Sequence, residues 1–578
     1  MFRLAVRRMF FGIGCCGLSL WAVCYSPPAG AAQKETKKSG SVTIDNVSWI
    51  DDSVRERWKE SEIKPSSVAS DGEFIRRAFL DILGHVPSLD EAKEYIDSRD
   101  KEKKAKLIHS LLHDEKYSGE YSKYWATIWS NLLIGRTPGR NIDRAAMSKY
   151  LRDSFALNKP WNKMVLELVT AKGGSTSKST AMGVPFNGAT NFMLSHMNDG
   201  KVPATSFTTR LFLGMQVQCT QCHDHPFNDR KQESFWGINA FLQRMNQQEF
   251  NDTDDTGRRI FLFSELKDEP VEEGADLFVR YDKRSAFVEV TPPLWIDGKT
   301  KILDPTPGMD LRDRLAELIV AQDNPYFAQA IVNRMWGHFL GRGIVHPMDD
   351  LGEHNPPSNP ELLEKLAENF KESNYDLKRL ISWITMSLPY SLSSQSNKTN
   401  KEDDALCSHY PLKQMSPEQF FDSLLVASQA NQAGTKGWEQ AEKMKEQLQR
   451  QFTTVFNNDE NAEADTFNGT IPQALLLMNG ELMAKATSKD PGSFLHGRVS
   501  EILKNNKAAR NLDNNLLNDL YLSAVSRRPT ERERKLAGEV LRITWTNAKD
   551  KNPFDVMIQG YQDIFWSLLN SSEFVLNH

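Results

Sequence analysis

Phe74-Ile75-Arg76-Arg77-Ala78-Phe79-Leu80-Asp81-Ile82-Leu83-Gly84-His85-Val86-Pro87-Ser88-Leu89-Asp90-Glu91 holds the end of one helix and the start of the next. Phe74, Ile75, Ala78, Phe79, Ile82 and Leu83 recur at the three- and four-residue steps that line one face of an α-helix, a period no strand shares. Gly84 and Pro87 stop that helix, because glycine favours the left-handed turn after a helix and proline cannot continue one. Ser88 to Glu91 then reads as a capping box: the serine oxygen accepts from the N–H three residues on, and the glutamate reaches back to the serine N–H.

Working outward, the pattern stays helical from about Ile44 to Met245, with Tyr121–Leu133 a tryptophan- and tyrosine-rich core helix and 172–188 a glycine- and serine-rich loop. Phe207, Leu211 and Met215 step by four towards Cys219, which predicts a helix over 207–218 leading into that cysteine. Between about Gly257 and Asp297 the texture changes to short strands at Ile260–Phe263, Leu277–Tyr281 and Ala286–Val290, the last two separated by a charged turn. Helices resume at Asp310–Val320 and Tyr326–Leu340. Another begins at Asn359, a cap followed by Pro360, with Leu362, Leu363, Leu366 and Phe370 as its buried stripe. Trp438–Phe452, a capping box at Thr530–Glu533, and Ile558–Val575 complete the helical second half.

The expected fold is therefore mainly α, two helical domains separated by a small β-rich section. The expected boundaries are 45–250 for the first helical domain, 251–305 for the β-rich section, 306–390 and 405–578 for two further helical parts, and 391–404 for a polar connector. A length of 578 residues suits two to four domains of roughly 100–200 residues each. Hydrophobic content of 39% and charged content of 25% are globular values, so no part of the argument needs a disordered or fibrous chain.

Residues 1–31 read as an export signal: Arg3, Arg7 and Arg8, an apolar run from Met9 to about Tyr25, then Ala29-Gly30-Ala31 for cleavage. Val23 before Cys24 argues against a lipoprotein, and 32–44 is a polar linker. Net charge is −5; losing those three arginines, with no acid among residues 1–31, takes it to −8, which offers no footprint for nucleic acid. No later segment approaches the roughly 20 apolar residues of a membrane span. The expected location is periplasmic, extracellular or at the cell surface. Of six cysteines, Cys15, Cys16 and Cys24 leave with the signal, and the remaining Cys219, Cys222 and Cys407 do not make a disulfide framework.

Cys219-Thr220-Gln221-Cys222-His223 has the Cys-x-x-Cys-His spacing of covalent c-type haem attachment, two thioethers and an imidazole for the iron. On a helical turn its three donors share a face. Cys219, Cys222 and His223 are thus the candidate cofactor-binding residues, with His223 on the haem iron. Two other readings stay open. Cys219, Cys222, His223 and His225 could bind zinc, or the two sulfurs could form a local disulfide or remain thiols. Met215 lies on the wrong side to be a distal haem ligand and His225 is too close; His196, His338, His346 and His354 are candidates, as is an open position.

His346-Pro347-Met348-Asp349-Asp350-Leu351-Gly352-Glu353-His354 gathers two imidazoles and three carboxylates, able to bind a divalent cation or run acid–base chemistry, or else a solvated loop whose acids cap helices. Asn333, Arg334, Trp336 and His338 share one helix; Trp336 reads as core and Arg334 as the partner of an acid such as Asp349 or Asp350. Asp252–Gly257 lacks the closing glutamate of a calcium loop, since Phe263 stands there, and reads as a solvated turn. Cys407 beside His409 reads as incidental. No nucleophile elbow, phosphate loop or dinucleotide fingerprint is present.

Phe74 to Asp81, with Val217-Gln218-Cys219 and His225-Pro226-Phe227, resembles the DUF1549 family, also called planctomycete cytochrome C domain 2. Asn324-Pro325-Tyr326-Phe327, Asn333-Arg334-Met335-Trp336, Gly341 to Val345, Asn355 to Glu361 and Ile471-Pro472-Gln473-Ala474-Leu475 resemble its usual companion DUF1553. The resemblance implies a large exported protein of unknown function, and its cytochrome label implies haem at Cys219, Cys222 and His223. Many relatives carry a further N-terminal cytochrome-type domain that this chain lacks, so the motif here is its one cofactor candidate. The leading expectation is an exported haem protein passing electrons to redox or other exported partners. Alternatives are a haem-free binding or scaffold protein with a metal or disulfide clip, and an extracellular hydrolase using the 346–354 loop. The sequence names no reaction.

Overall fold

The computed structural model describes residues 46–139, 141–226, 228–303, 305–456, 480–505, 513–547 and 552–578. The signal and linker readings, Phe227 and the 471–475 motif lie outside these residues. The protein is mainly α with a small β region between helical parts. Helices α1 (Ser48–Glu60), α2 (Asp71–Ile82), α3 (Leu89–Asp97), α4 (Lys103–His113), α5 (Glu115–Ile134), α6 (Arg144–Ala156), α7 (Trp161–Thr170), α8 (Thr190–Leu194), α9 (Asn198–Leu213) and α10 (Gln232–Leu242) form the first part. Strand β1 (Gly173–Gly174) joins β2 (Met245–Thr253) and β3 (Arg259–Asp268) in a sheet of order β1-β3-β2, and β4 (Val279–Asp282) pairs with β5 (Val288–Thr291) as a hairpin. Then come α11 (Leu311–Val320), α12 (Pro325–Leu340), α13 (Pro360–Glu372), α14 (Leu377–Met386), α15 (Pro417–Ser428), α16 (Trp438–Phe456) and further helices as far as Ser572–Val575.

The local signals act as their chemistry requires. Ser70 and Ser88 close capping boxes on α2 and α3, and Thr530 does so on the helix Glu531–Thr546. Asn359 caps α13 through the Leu362 N–H at 3.1 Å, with Pro360 in its first turn. Strand β2 was not expected: its polar alternation, Asn-Gln-Gln-Glu, hides the pairing with β3 that tertiary contact supplies. Asp252–Gly257 spans the end of β2 and the β2–β3 turn, where Asp254 Oδ1 accepts from the Thr256 and Arg258 amides.

Burial divides into two hydrophobic cores. One unites Ile50 to Val271 with residues from Leu311 to Tyr410, so helices on both sides of the β region share it. The other gathers Met415 to Phe574 and takes Leu80 and Val86 from the first part. Helix α2 stands between them. Phe74, Ile75, Ala78, Phe79 and Ile82 enter the first core and Leu80 the second.

Its charged residues are buried as well. Arg76 donates to the carbonyls of Ala524 and Phe574, and Arg77 to that of Tyr390 while stacking 3.5 Å from the Tyr410 ring centroid. Asp81 is the centre of the arrangement. Its Oδ2 accepts from the hydroxyls of Tyr390 (3.0 Å) and Tyr410 (2.9 Å), and its Oδ1 from Lys413 Nζ (2.9 Å) and Asn577 Nδ2 (2.8 Å). Lys413 and Asn577 are opposite residues in the strand pair β6 (Lys413–Gln414) and β7 (Leu576–Asn577). One carboxylate thus ties α2, the middle of the chain and its C-terminal end. A buried charge survives only with such pairing and hydrogen bonding.

Candidate functional site

Helix α9 does not run through to Gln218 as its spacing predicts. Asp199, Gly200 and Lys201 are left-handed, Pro203 sits in the first regular turn, and the helix ends at Leu213 on Gly214, φ +64°. Glycine is required there twice over. It takes the left-handed cap conformation, and an added Cβ would lie 2.7 Å from Leu351 Cδ1 and 3.2 Å from Ala330 Cβ. The four-residue step to Met215 is therefore broken one residue early. The motif starts on its own short 3-10 turn, Gln218–Gln221, with Cys222 and His223 just past its end, and not on an α-helical face.

That turn is anchored from α10. The Gln221 carbonyl accepts from Gln232 Nε2 at 3.0 Å and from Trp236 Nε1 at 3.1 Å, while Gln232 Nε2 also reaches the Asp282 carbonyl of the β4–β5 hairpin at 2.8 Å. Trp236 in turn stacks on Tyr281, with 10° between planes. Asp224 Oδ1 accepts the first amide of α10, from Gln232 at 2.9 Å, and Lys231 Nζ lies 3.3 Å from its other oxygen. That amide bond, more than the lysine, holds the Asp224 carboxyl below the usual carboxylate range. Inside the turn, buried Thr220 closes onto the Val217 carbonyl at 2.6 Å.

Cys219 and Cys222 are exposed free thiols, so the local disulfide is not formed. His223 is half-buried, its Nδ1 2.6 Å from the Asp224 carbonyl. A carbonyl only accepts, so Nδ1 carries the hydrogen and Nε2 keeps its lone pair, the tautomer of a ligating imidazole. This donor set, two accessible thiols and one oriented imidazole, fits covalent haem attachment. Among the described residues no three His, Cys, Asp or Glu side chains converge as a metal-ready group, the set Cys219, Cys222, His223 and His225 included.

The two separate candidates of the sequence meet here. Leu351 N–H donates to the Gly214 carbonyl at 2.8 Å, Met215 bridges to Asp350, and Arg230 Nη2 donates to the Leu351 carbonyl at 2.9 Å. The His225 and His354 rings are 5.8 Å apart, and His354 Nε2 is held by Asp350 Oδ1 at 2.9 Å. Burial and then the neighbouring His354 lower the His225 pKa, with Asp350 opposing; burial lowers that of Arg230. The 346–354 loop owes its shape to α12: Asn333 Nδ2 donates to the carbonyls of Val345 (2.9 Å) and Met348 (3.1 Å), and its Oδ1 accepts from Val345 N–H. Arg334 pairs with Asp349, as expected, and Trp336 is buried. Of the loop's acids, Asp349 pairs with Arg334 and Asp350 with His354.

Of the remaining imidazoles, His346 is exposed on the loop. His196 is stacked on Phe207 and bonded to the Leu133 carbonyl at 2.8 Å, and His338 is bonded to the Asp81 carbonyl at 3.1 Å beside Trp125. Both serve the interior, and burial pushes each down to about 4. Cys407 is also turned inward, burial raising its thiol to about 12. Asp224, Gln232, Trp236 and Arg230 were not singled out from sequence. Gln232 and Trp236 stand four apart on a helix whose apolar pattern begins only at Phe235, so their shared face was hidden.

Residues 49–247 match the family described as protein of unknown function DUF1549 (PSCyt2), and residues 311–541 match DUF1553 (PSD1), likewise of unknown function. The chain joins a DUF1549 region to a DUF1553 region. The motif turn belongs to the first and the 346–354 loop to the second, so the site is assembled from both. Asp81 and its partners Tyr390, Tyr410 and Lys413 join the same two regions. No curated protein and no solved structure matches the chain. Among the described residues no helix is long and apolar enough to cross a membrane.

Proposed function

We propose that this is an exported c-type haem protein acting in electron transfer, with haem bonded to Cys219 and Cys222 and ligated by His223. The observation that carries this reading is the His223 Nδ1–H to Asp224 carbonyl bond, which leaves Nε2 its lone pair in a segment whose two thiols are exposed. Each thiol would add across one vinyl group, its sulfur to one carbon and its hydrogen to the other, with no net oxidation. Bound haem supplies reversible one-electron chemistry. The residues of this chain do the positioning: α10 holds the turn through Gln221 and Asp224, and Asp224 orients the His223 ring. Export suits the reading, since covalent haem is attached on the outer side of the membrane.

The test is absorption spectroscopy of protein matured together with haem-attachment machinery. A covalently retained pigment is expected, lost in Cys219→Ala/Cys222→Ala. A colourless wild-type product under those conditions overturns the reading.

A further inference from the structure

We infer that Asp224 is a positioning residue for His223, linking the proximal imidazole mechanically to the first turn of α10. This rests on the haem reading for its consequence, but its geometry stands alone. Asp224 acts at both ends. Its backbone carbonyl accepts from His223 Nδ1 at 2.6 Å, and its side chain accepts from the Gln232 amide at 2.9 Å.

The physics favours that second bond. The first amides of a helix have no partner within the helix, and its positive end attracts an anion. Lys231, next to Asp224, offers no side-chain cap to α10, so the carboxylate arriving from the motif takes that role. Gln232 makes the link reciprocal, because its side chain returns to the Gln221 carbonyl at 3.0 Å. The Asp224 peptide is therefore held on the side of its carboxylate and on the side of Gln221, and its carbonyl has a fixed direction. A hydrogen bond at Nδ1 increases the basicity of the opposite ring nitrogen, and removing such a partner typically costs 10–100-fold in metal affinity or activity. A stronger donor favours the ferric state.

Asp224→Ala should leave the pigment attached, because neither thiol is touched. Loss of orientation should weaken the ferric preference about tenfold, which raises the one-electron midpoint potential by about 59 mV. Asp224→Asn keeps an acceptor for the Gln232 amide and should shift it by less than half as much. In the haem-free protein, ¹⁵N NMR should find His223 as a single Nδ1–H tautomer in the wild type and as a mixture in Asp224→Ala. An unchanged potential in pigmented Asp224→Ala, or an unchanged tautomer in the haem-free variant, overturns the inference. A wild type that takes up no haem sinks the haem reading alone, and the tautomer measurement still decides the role of Asp224.

Discussion

The Cys219–His223 turn, flanked by Gly214, Met215 and Arg230 that reach the 346–354 loop, and the Asp81 cluster both lie where the DUF1549 and DUF1553 regions meet, yet they are built oppositely. Around Asp81 the carboxylate is buried and partnered on both oxygens: two tyrosine hydroxyls, a lysine and an asparagine donate to it. Burial and that carboxylate push the Tyr390 and Tyr410 hydroxyls well above their usual range, while burial lowers the Lys413 ammonium. In the motif turn the Gln221 carbonyl is held from α10 and the chemistry is left outside, with both thiols exposed and His223 Nε2 left its lone pair. The comparison marks the Asp81 cluster as a joint and leaves the motif turn as the candidate site.

The largest expected effect breaks the joint. Asp81→Ala would strand a buried ammonium and two hydroxyls and should cost about 3–5 kcal/mol, read as a lower midpoint in urea denaturation. A loss below about 1 kcal/mol would mean that the cluster is not what ties the two regions. Acid is a second way in. His196 has a folded pKa near 4 against about 6.5 unfolded, so the unfolded chain binds the extra proton between those values. Stability is then complete above about pH 6.5 and falls as pH drops towards 4, by about 3 kcal/mol for this imidazole. His338 acts in the same direction. His196→Phe should flatten the pH dependence of the denaturation midpoint.

Gly214→Ala tests the seam between the turn and the 346–354 loop. Positive φ and contact with Leu351 should together cost about 2 kcal/mol, with faster hydrogen exchange at the Leu351 amide. The smallest effect belongs to the motif. Cys219→Ala and Cys222→Ala, both on exposed residues, should change stability by less than about 0.5 kcal/mol while abolishing covalent pigment. A cost of several kcal/mol would reverse the contrast and make the thiols structural.

Short-range signals were the readable part of this molecule. Capping boxes at Ser88 and Thr530, the Asn359-Pro360 start of α13, and the buried stripe Leu362, Leu363, Leu366 and Phe370 all depend on neighbours within a few residues. The end of α9 was misread because its decisive partner, Leu351, is far away in the chain. Strand β2 was missed for the same reason, its polar face making sense only beside β3. At the site, the spacing of Cys219, Cys222 and His223 was legible, as was the pairing of Arg334 with an acid of the loop. That the loop would pack against the residues flanking the motif, setting His354 beside His225, was not.

Helical class, the positions of most helices and the motif's donor atoms follow from the sequence by itself, since periodicity, capping and ligand spacing are local. Tertiary structure alone decided that Arg76, Arg77 and Asp81 are interior, that the motif starts on a clamped 3-10 turn, and that two distant candidates form one site. The physical reason is that a buried charge or a broken helix is settled by whichever partners folding brings to it, and no spacing along the chain names them.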